Sequence, residues 1–185
     1  VAWSRVIGGN NMDHVYEVAP LVEAGGSIDG IVVVGSFRSN ALNLVQDGSS
    51  WGPAKVEGGY RLDGWAARLD DSTGDVQWAT AFGGLKKDEV TAAASAVVNG
   101  NERLYVAGSF ASGCFNTAAT LASGGEPLLL HSDQDTCTTP AVPSSGLPAN
   151  GFVVRMNPAD GDILWASRFG ETVVDGNAIE NLKVT

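Results

Sequence analysis

Three segments of this chain repeat one pattern, and a repeat constrains the fold more tightly than any single motif. They read WSRVIGG from Trp3, WATAFGG from Trp78 and WASRFGE from Trp165. Ten residues after each Trp stands an Asp: Asp13, Asp88 and Asp175. Upstream of the later two lie DGWAARLDDSTGDVQW and NGFVVRMNPADGDILW, and VVVGSFRS at Val32–Ser39 is echoed by YVAGSFAS at Tyr105–Ser112. Self-similarity of this kind marks stacked copies of one supersecondary unit. The spacing is 75 residues from Trp3 to Trp78 and 87 from Trp78 to Trp165, while the GSF triplets are 73 apart. The extra length of the second unit therefore falls after GSF, in Ala111–Asn150, as a loop inserted in a fixed frame.

Each unit carries four strand-like stretches. In the first they are Val15–Val22, Gly30–Phe37, Gly64–Leu69 and Asp75–Phe82. In the second they are Val90–Val98, Arg103–Phe110, Gly151–Met156 and Asp162–Phe169. The turns are Asp71–Gly74, Asn99–Asn101 and Pro158–Gly161, built from residues that favour tight turns. The 24 glycines between short β-type runs fit an all-β chain. Alternation predicts that Val76, Trp78, Thr80 and Phe82 share one face, with Gln77, Ala79 and Ala81 on the other.

Four antiparallel strands per unit, repeated, predict the blades of a β-propeller. Residues 1–9 read as the last strand of a preceding blade. Residues 10–84 form a blade with an inserted loop at 40–62, and 85–171 a blade with a loop at 111–150. Residues 172–185 read as the first strand of a following blade. Trp3, Trp78 and Trp165 are expected to dock between blades, and Asp13, Asp88 and Asp175 to accept backbone N–H groups at the blade-to-blade turn. A ring needs at least four blades. The chain is thus expected to be part of a longer one, to share a ring with other copies, or to stack openly.

At these residues the chain resembles the bacterial β-propeller repeat family called SBBP. Trp78–Gly84, Asp88, Leu104–Phe110 and Gly151–Asn157 carry that likeness. It implies blades, in extracellular and surface proteins of varied role, and the long loops make these units longer than the usual blade. The segment Leu69–Trp78 is also similar to the D-x-x-T-G-x-x-x-W docking motif of quinoprotein propellers. That motif is structural, and the cofactor in those proteins is held elsewhere.

Composition narrows function by exclusion. A net charge of −10 argues against nucleic acid and against an anionic membrane surface. No apolar run reaches the roughly 18–20 residues that span a bilayer. Cys114 and Cys137 both fall in the 111–150 loop. They read either as a disulfide, which would stabilise by roughly 3 kcal/mol and place the protein in an oxidising compartment, or as two thiols in a cytosolic one. The Gly/Ser/Thr/Pro-rich loop favours the disulfide. Two cysteines without nearby paired His do not make a zinc cage.

Catalysis has few candidates. His14 and His131 are the only near-neutral bases. His131, Ser132 and Asp133 are neighbours in sequence, not a triad assembled by a fold. His14 has Glu89 and Gly176 as counterparts, which reads as a solvated position. The clusters Asp70, Asp71, Ser72, Thr73, Asp75 and Asn157, Asp160, Asp162 are oxygen-rich enough for calcium, but the same residues form hairpin turns without metal. Arg68 and Arg155 are expected to pair with acids of the adjacent blade or to cover it with their stems. Trp51 and Tyr60, in the 40–62 loop, are candidate contacts for protein or carbohydrate, or pack the loop onto its own blade. The reading is a non-catalytic extracellular or cell-surface module for protein assembly and adhesion, with no cofactor. Its partners are other blades, extracellular proteins or glycans. The alternatives are a quinoprotein-like or hydrolytic enzyme with its active site in further blades, and a glycan-binding propeller.

Overall fold

The computed structural model describes residues 3–40, 42–44, 61–84, 86–112, 114–117, 130–131 and 150–169. The chain is all-β, without a helix among these residues. Strands β1 (Asp13–Val22), β2 (Ile28–Phe37), β3 (Asp63–Leu69) and β4 (Val76–Gly83) form one antiparallel meander. Strands β5 (Asp88–Val98), β6 (Asn101–Phe110), β9 (Asn150–Met156) and β10 (Ile163–Phe169) form a second one in the same order. The eight expected strands are all present, each within two residues of its expected bounds.

The two sheets share even their irregularities. In the first, Val15 pairs with Gly35 and Glu17 with Val34, so Tyr16 is an extra residue. In the second, Val90 pairs with Gly108 and Ala92 with Ala107, so Thr91 is extra. These bulges press the first strand onto the second. A Cβ on Gly35 would run into the His14 carbonyl, and one on Gly108 into the Glu89 carbonyl. That close approach, not a turn, is why the GSF triplet begins with Gly in both units.

A second pair of bulges corrects the expected faces. Leu69 pairs with Val76 and Arg68 with Trp78, leaving Gln77 over; Leu164 is left over in the same way between Met156–Ile163 and Arg155–Trp165. One extra residue reverses the alternation behind it. Val76 therefore packs with Ala79 and Ala81 on one face, while Trp78 and Phe82 occupy the other.

The main core lies between the sheets. Ala19, Leu21, Val32, Val34, Ala66, Trp78 and Phe82 of the first meet Val90, Leu104, Val106, Phe110, Phe152 and Val154 of the second. Phe82 and Phe152 stack with centroids 6.2 Å apart. Fully burying side chains of this size stabilises by roughly 1.5–3 kcal/mol each. A second cluster covers the opposite face of the first sheet: Val33, Phe37, Trp65 and Leu69, closed over by Leu42, Leu44 and Ile7.

Two expectations change here. Residues 3–7, expected as a strand, form no ladder; the segment is held by the Gly8–Asn43 bridge, by Trp3 on the Asp71 carbonyl and by Arg5 on Asp75. Ile7 packs instead against the outer cluster of the first sheet. The 111–150 segment is not all loop. It contributes β7 (Cys114–Thr117) and β8 (Leu130–His131), and β7 pairs with β4 through Phe82–Thr117 and Gly83–Asn116. The second unit thereby extends the first sheet.

Candidate functional site

Trp3 and Trp78 each dock on a hairpin turn of the sheet that follows. Trp3 Nε1 donates to the Asp71 carbonyl at 2.7 Å, and Trp78 Nε1 to the Pro158 carbonyl at 2.9 Å. The rings pack against Gly74 (φ 73°) and Gly161 (φ 80°). A Cβ on Gly161 would stand 2.8 Å from the Trp78 ring. Glycine serves twice at this turn, for the left-handed backbone and for the ring's approach. Trp165 has no counterpart turn among the described residues. It is half-buried, with the Tyr105 ring centroid 6.1 Å away.

The repeated Asp residues clamp the ends of the second strands. Asp13 accepts the N–H groups of Gly9, Arg38 and Ser39, and the Ser39 hydroxyl at 2.8 Å. Asp88 accepts the N–H groups of Ala111 and Ser112, and the Ser112 hydroxyl at 2.5 Å. The Ser hydroxyls in turn accept from Asn11 N and Lys86 N. These bonds explain why Asp and the final Ser of GSFRS and GSFAS recur together. Asp88 is fully buried, and burial pushes its carboxyl up to about 7 despite the donors around it.

The turn carboxylates are occupied locally. Asp70 Oδ1 accepts from the N–H and hydroxyl groups of Ser72 and Thr73. The Ser72 hydroxyl, followed by the Thr73 N–H, lowers its carboxyl to about 2. Asn157 Nδ2 donates to Asp160 at 2.7 Å. Among the described residues no three His, Cys, Asp or Glu converge as a metal site.

Polar bonds also stitch the sheets together. Glu17 accepts the Ala93 N–H at 2.8 Å, Ser95 donates to the Pro20 carbonyl, and Tyr16 donates to Glu89 at 2.8 Å. Arg68 pairs with Asp29 of its own sheet, rather than an acid of the next, and donates to the Pro158 carbonyl at 2.9 Å. His14 is half-buried and stacked on Tyr16, with centroids 5.7 Å apart, rather than fully solvated. Asp175, Trp51, Tyr60 and Cys137 lie outside the described residues, as does the Cys114 side chain, so the expected disulfide and loop contacts fall outside them too.

The arrangement leaves the outer face of the second sheet open, and on the first sheet only the β1 edge, beyond the part that Leu42, Leu44 and Ile7 close over. On the first sheet Val15 and Val18 are 48% and 55% exposed, whereas their counterparts Val90 and Ala93 are buried against it. On the second sheet Ala94, Tyr105, Ala107, Val153, Trp165 and Phe169 are half-buried or exposed. Their counterparts Ala19, Val32, Val34, Ala66, Trp78 and Phe82 are all buried between the sheets. Sequence reasoning missed this asymmetry, although aligning the two units would expose it. Comparison with protein-family models, curated proteins and solved structures returns no match.

Proposed function

We propose that the chain is a non-catalytic assembly module: two blades of a β-propeller or of an open blade stack, whose partners are further units of the same kind. One observation carries this reading. The interface between the two sheets is made by one face of the first and the opposite face of the second; the outer face of the second repeats the inner face of the first, and the uncovered β1 edge of the first repeats the positions that β5 buries inside. Such an interface is heterologous, joining head to tail, and so it propagates until a ring closes or a stack ends. The lateral contact of first strands β1 and β5, and the Trp78 dock at the far side, fit blades radiating from a common axis. The likeness to SBBP repeats and an extracellular or cell-surface home belong to the same reading.

Sedimentation velocity over a concentration series tests it. The chain is expected to form species larger than 19.1 kDa as concentration rises, and Phe169→Asp to return it to monomer. A wild-type monomer at every concentration would defeat the assembly role. The compartment is tested separately: a gain of two protons on reduction of the intact polypeptide supports the Cys114–Cys137 bridge, and no gain counts against it.

A further inference from the structure

Residues 3–7 meet the first sheet as residues 78–82 of β4 meet the second. Counting from the Trp, Trp3, Trp78 and Trp165 are equivalent, and four residues further on stand Ile7, Phe82 and Phe169. Trp3 donates to the Asp71 carbonyl and Trp78 to the equivalent Pro158 carbonyl. Each ring packs against a glycine of left-handed backbone, Gly74 or Gly161. Ile7 packs against the cluster that holds Trp65, and Phe82 stacks on Phe152, the counterpart of Trp65. A short segment outside any ladder thus repeats both contacts of a full strand.

The segment has an anchor that the repeat does not supply. Arg5 stands where β4 has Thr80 and β10 has Ser167. Its guanidinium donates to the Gly74 carbonyl and, at 3.2 Å, to Asp75 Oδ1, and its side chain is mostly buried. The third pair, Trp165 and Phe169, has no dock among the described residues: Trp165 is half-buried and Phe169 exposed. Besides the Trp78 pair inside the molecule, two segments of docking type therefore match one dock, the turn at 71–74.

We propose that residues 3–7 are a strap that occupies, within one chain, the dock that Trp165 and Phe169 of a second copy take when units join. The inference rests on the head-to-tail reading above and adds its control: the first sheet offers its dock to a neighbour only when the strap leaves. Both segments need the Asp71 carbonyl and the face of Gly74, and two indoles do not fit on one glycine. A tethered segment competes through its effective concentration. Assembly then draws on the fraction of copies whose strap is off, which lowers the apparent affinity by that fraction. Release leaves the strand ladders of the first sheet in place, since the strap is joined in β fashion only at the Gly8–Asn43 bridge.

Sedimentation velocity of Trp3→Ala beside the wild type reads the strap. The variant is expected to assemble at a concentration roughly tenfold or more lower. Arg5→Gln, which keeps the indole, should move the midpoint the same way by less. A midpoint unchanged or raised in both variants overturns the proposal. A second measurement does not need self-assembly. In the Phe169→Asp protein, whose own docking segment is spoiled, the amide NMR signals of residues 71–74 are followed as a synthetic peptide of residues 163–169, ILWASRF, is added. With Trp3→Ala included, the peptide should bind roughly tenfold or more tightly than with the strap intact, and a peptide carrying Trp165→Ala should not bind. Equal affinity, or no binding to the Trp3→Ala protein, overturns the proposal. Should Trp3→Ala fail to fold, Arg5→Gln takes its place in both experiments. If every protein stays monomeric but the peptide binds as expected, the strap stands and the assembly reading falls. If the wild type assembles and neither variant shifts it, the strap falls and the assembly reading stands.

Discussion

Phe82 and Phe169 stand at the same position of the two sheets, on β4 and β10. Phe82 is fully buried, with the Phe152 ring stacked on it, while Phe169 is 55% exposed. Val90 and Val15 reverse the relation: the second-sheet residue is buried and its first-sheet counterpart is 48% exposed. Identity is the same in each pair; what differs is the neighbouring sheet and, for Phe82, the pairing of β4 with β7. The repeat therefore sets the shape of a unit, and stacking sets which of its faces is core. This is the arithmetic of repeat proteins, where each unit is stabilised by its own sheet plus the interfaces it makes.

Substitutions at matched positions should separate those contributions. Phe82→Ala opens a cavity in the inter-sheet core and should cost about 3–5 kcal/mol. Phe169→Ala, at the open face, should cost less than about 1 kcal/mol, both read from urea unfolding of dilute protein. Equal losses would mean that the second face is covered in solution even then. Next, Gly161→Ala meets both a φ of 80° and the Trp78 ring, whereas Gly100→Ala meets a φ of 74° and open space. About 2–4 kcal/mol is expected for the first and about 1 kcal/mol for the second. Comparable values would show that the ring does not rest on that turn.

Trp78→Phe removes the donor to Pro158, but Arg68 still satisfies that carbonyl. A loss of about 1 kcal/mol is expected, against almost none for Trp165→Phe, where no such bond is described.

The clamps add a test that pH reads. Asp88 is raised to about 7 from an ordinary 3.8, so the folded state holds its proton more tightly than the unfolded chain. Its contribution is fully present below about pH 4 and is lost as pH rises through about 7. The slope is at most about 1.4 kcal/mol per pH unit. Stability measured from pH 4 to 7 should fall more steeply in the wild type than in Asp88→Asn; parallel curves would contradict the buried, protonated carboxyl. Asp70, lowered to about 2, acts in the opposite sense, adding stability that is lost as pH falls from about 4 through 2.

Much of this architecture is legible in the sequence because the chain states it twice. The Trp, Asp and GSF positions mark the dock, the clamp and the close approach, and turn residues such as Pro158–Gly161 mark the hairpins. The bulges at Tyr16 and Gln77 are not marked, since period-two alternation looks intact until the partner strand sets the register. The pairing of β7 with β4 is equally silent, being a tertiary choice made by a four-residue strand. Asp88 and Ser112, by contrast, announce their partnership through Asp13 and Ser39.

The central claim is that the open face of the second sheet and the open β1 edge of the first are complementary halves of one interface, and a mixing experiment addresses it most directly. Val18→Asp spoils the open edge of the first sheet and keeps the open face of the second; Phe169→Asp does the reverse. Each variant alone should sediment as a monomer. Mixed in equal amounts they should form a 1:1 dimer and nothing larger, because one good face of each remains. If the mixture stays monomeric while the wild type assembles, the faces do not bind each other and the head-to-tail account is wrong.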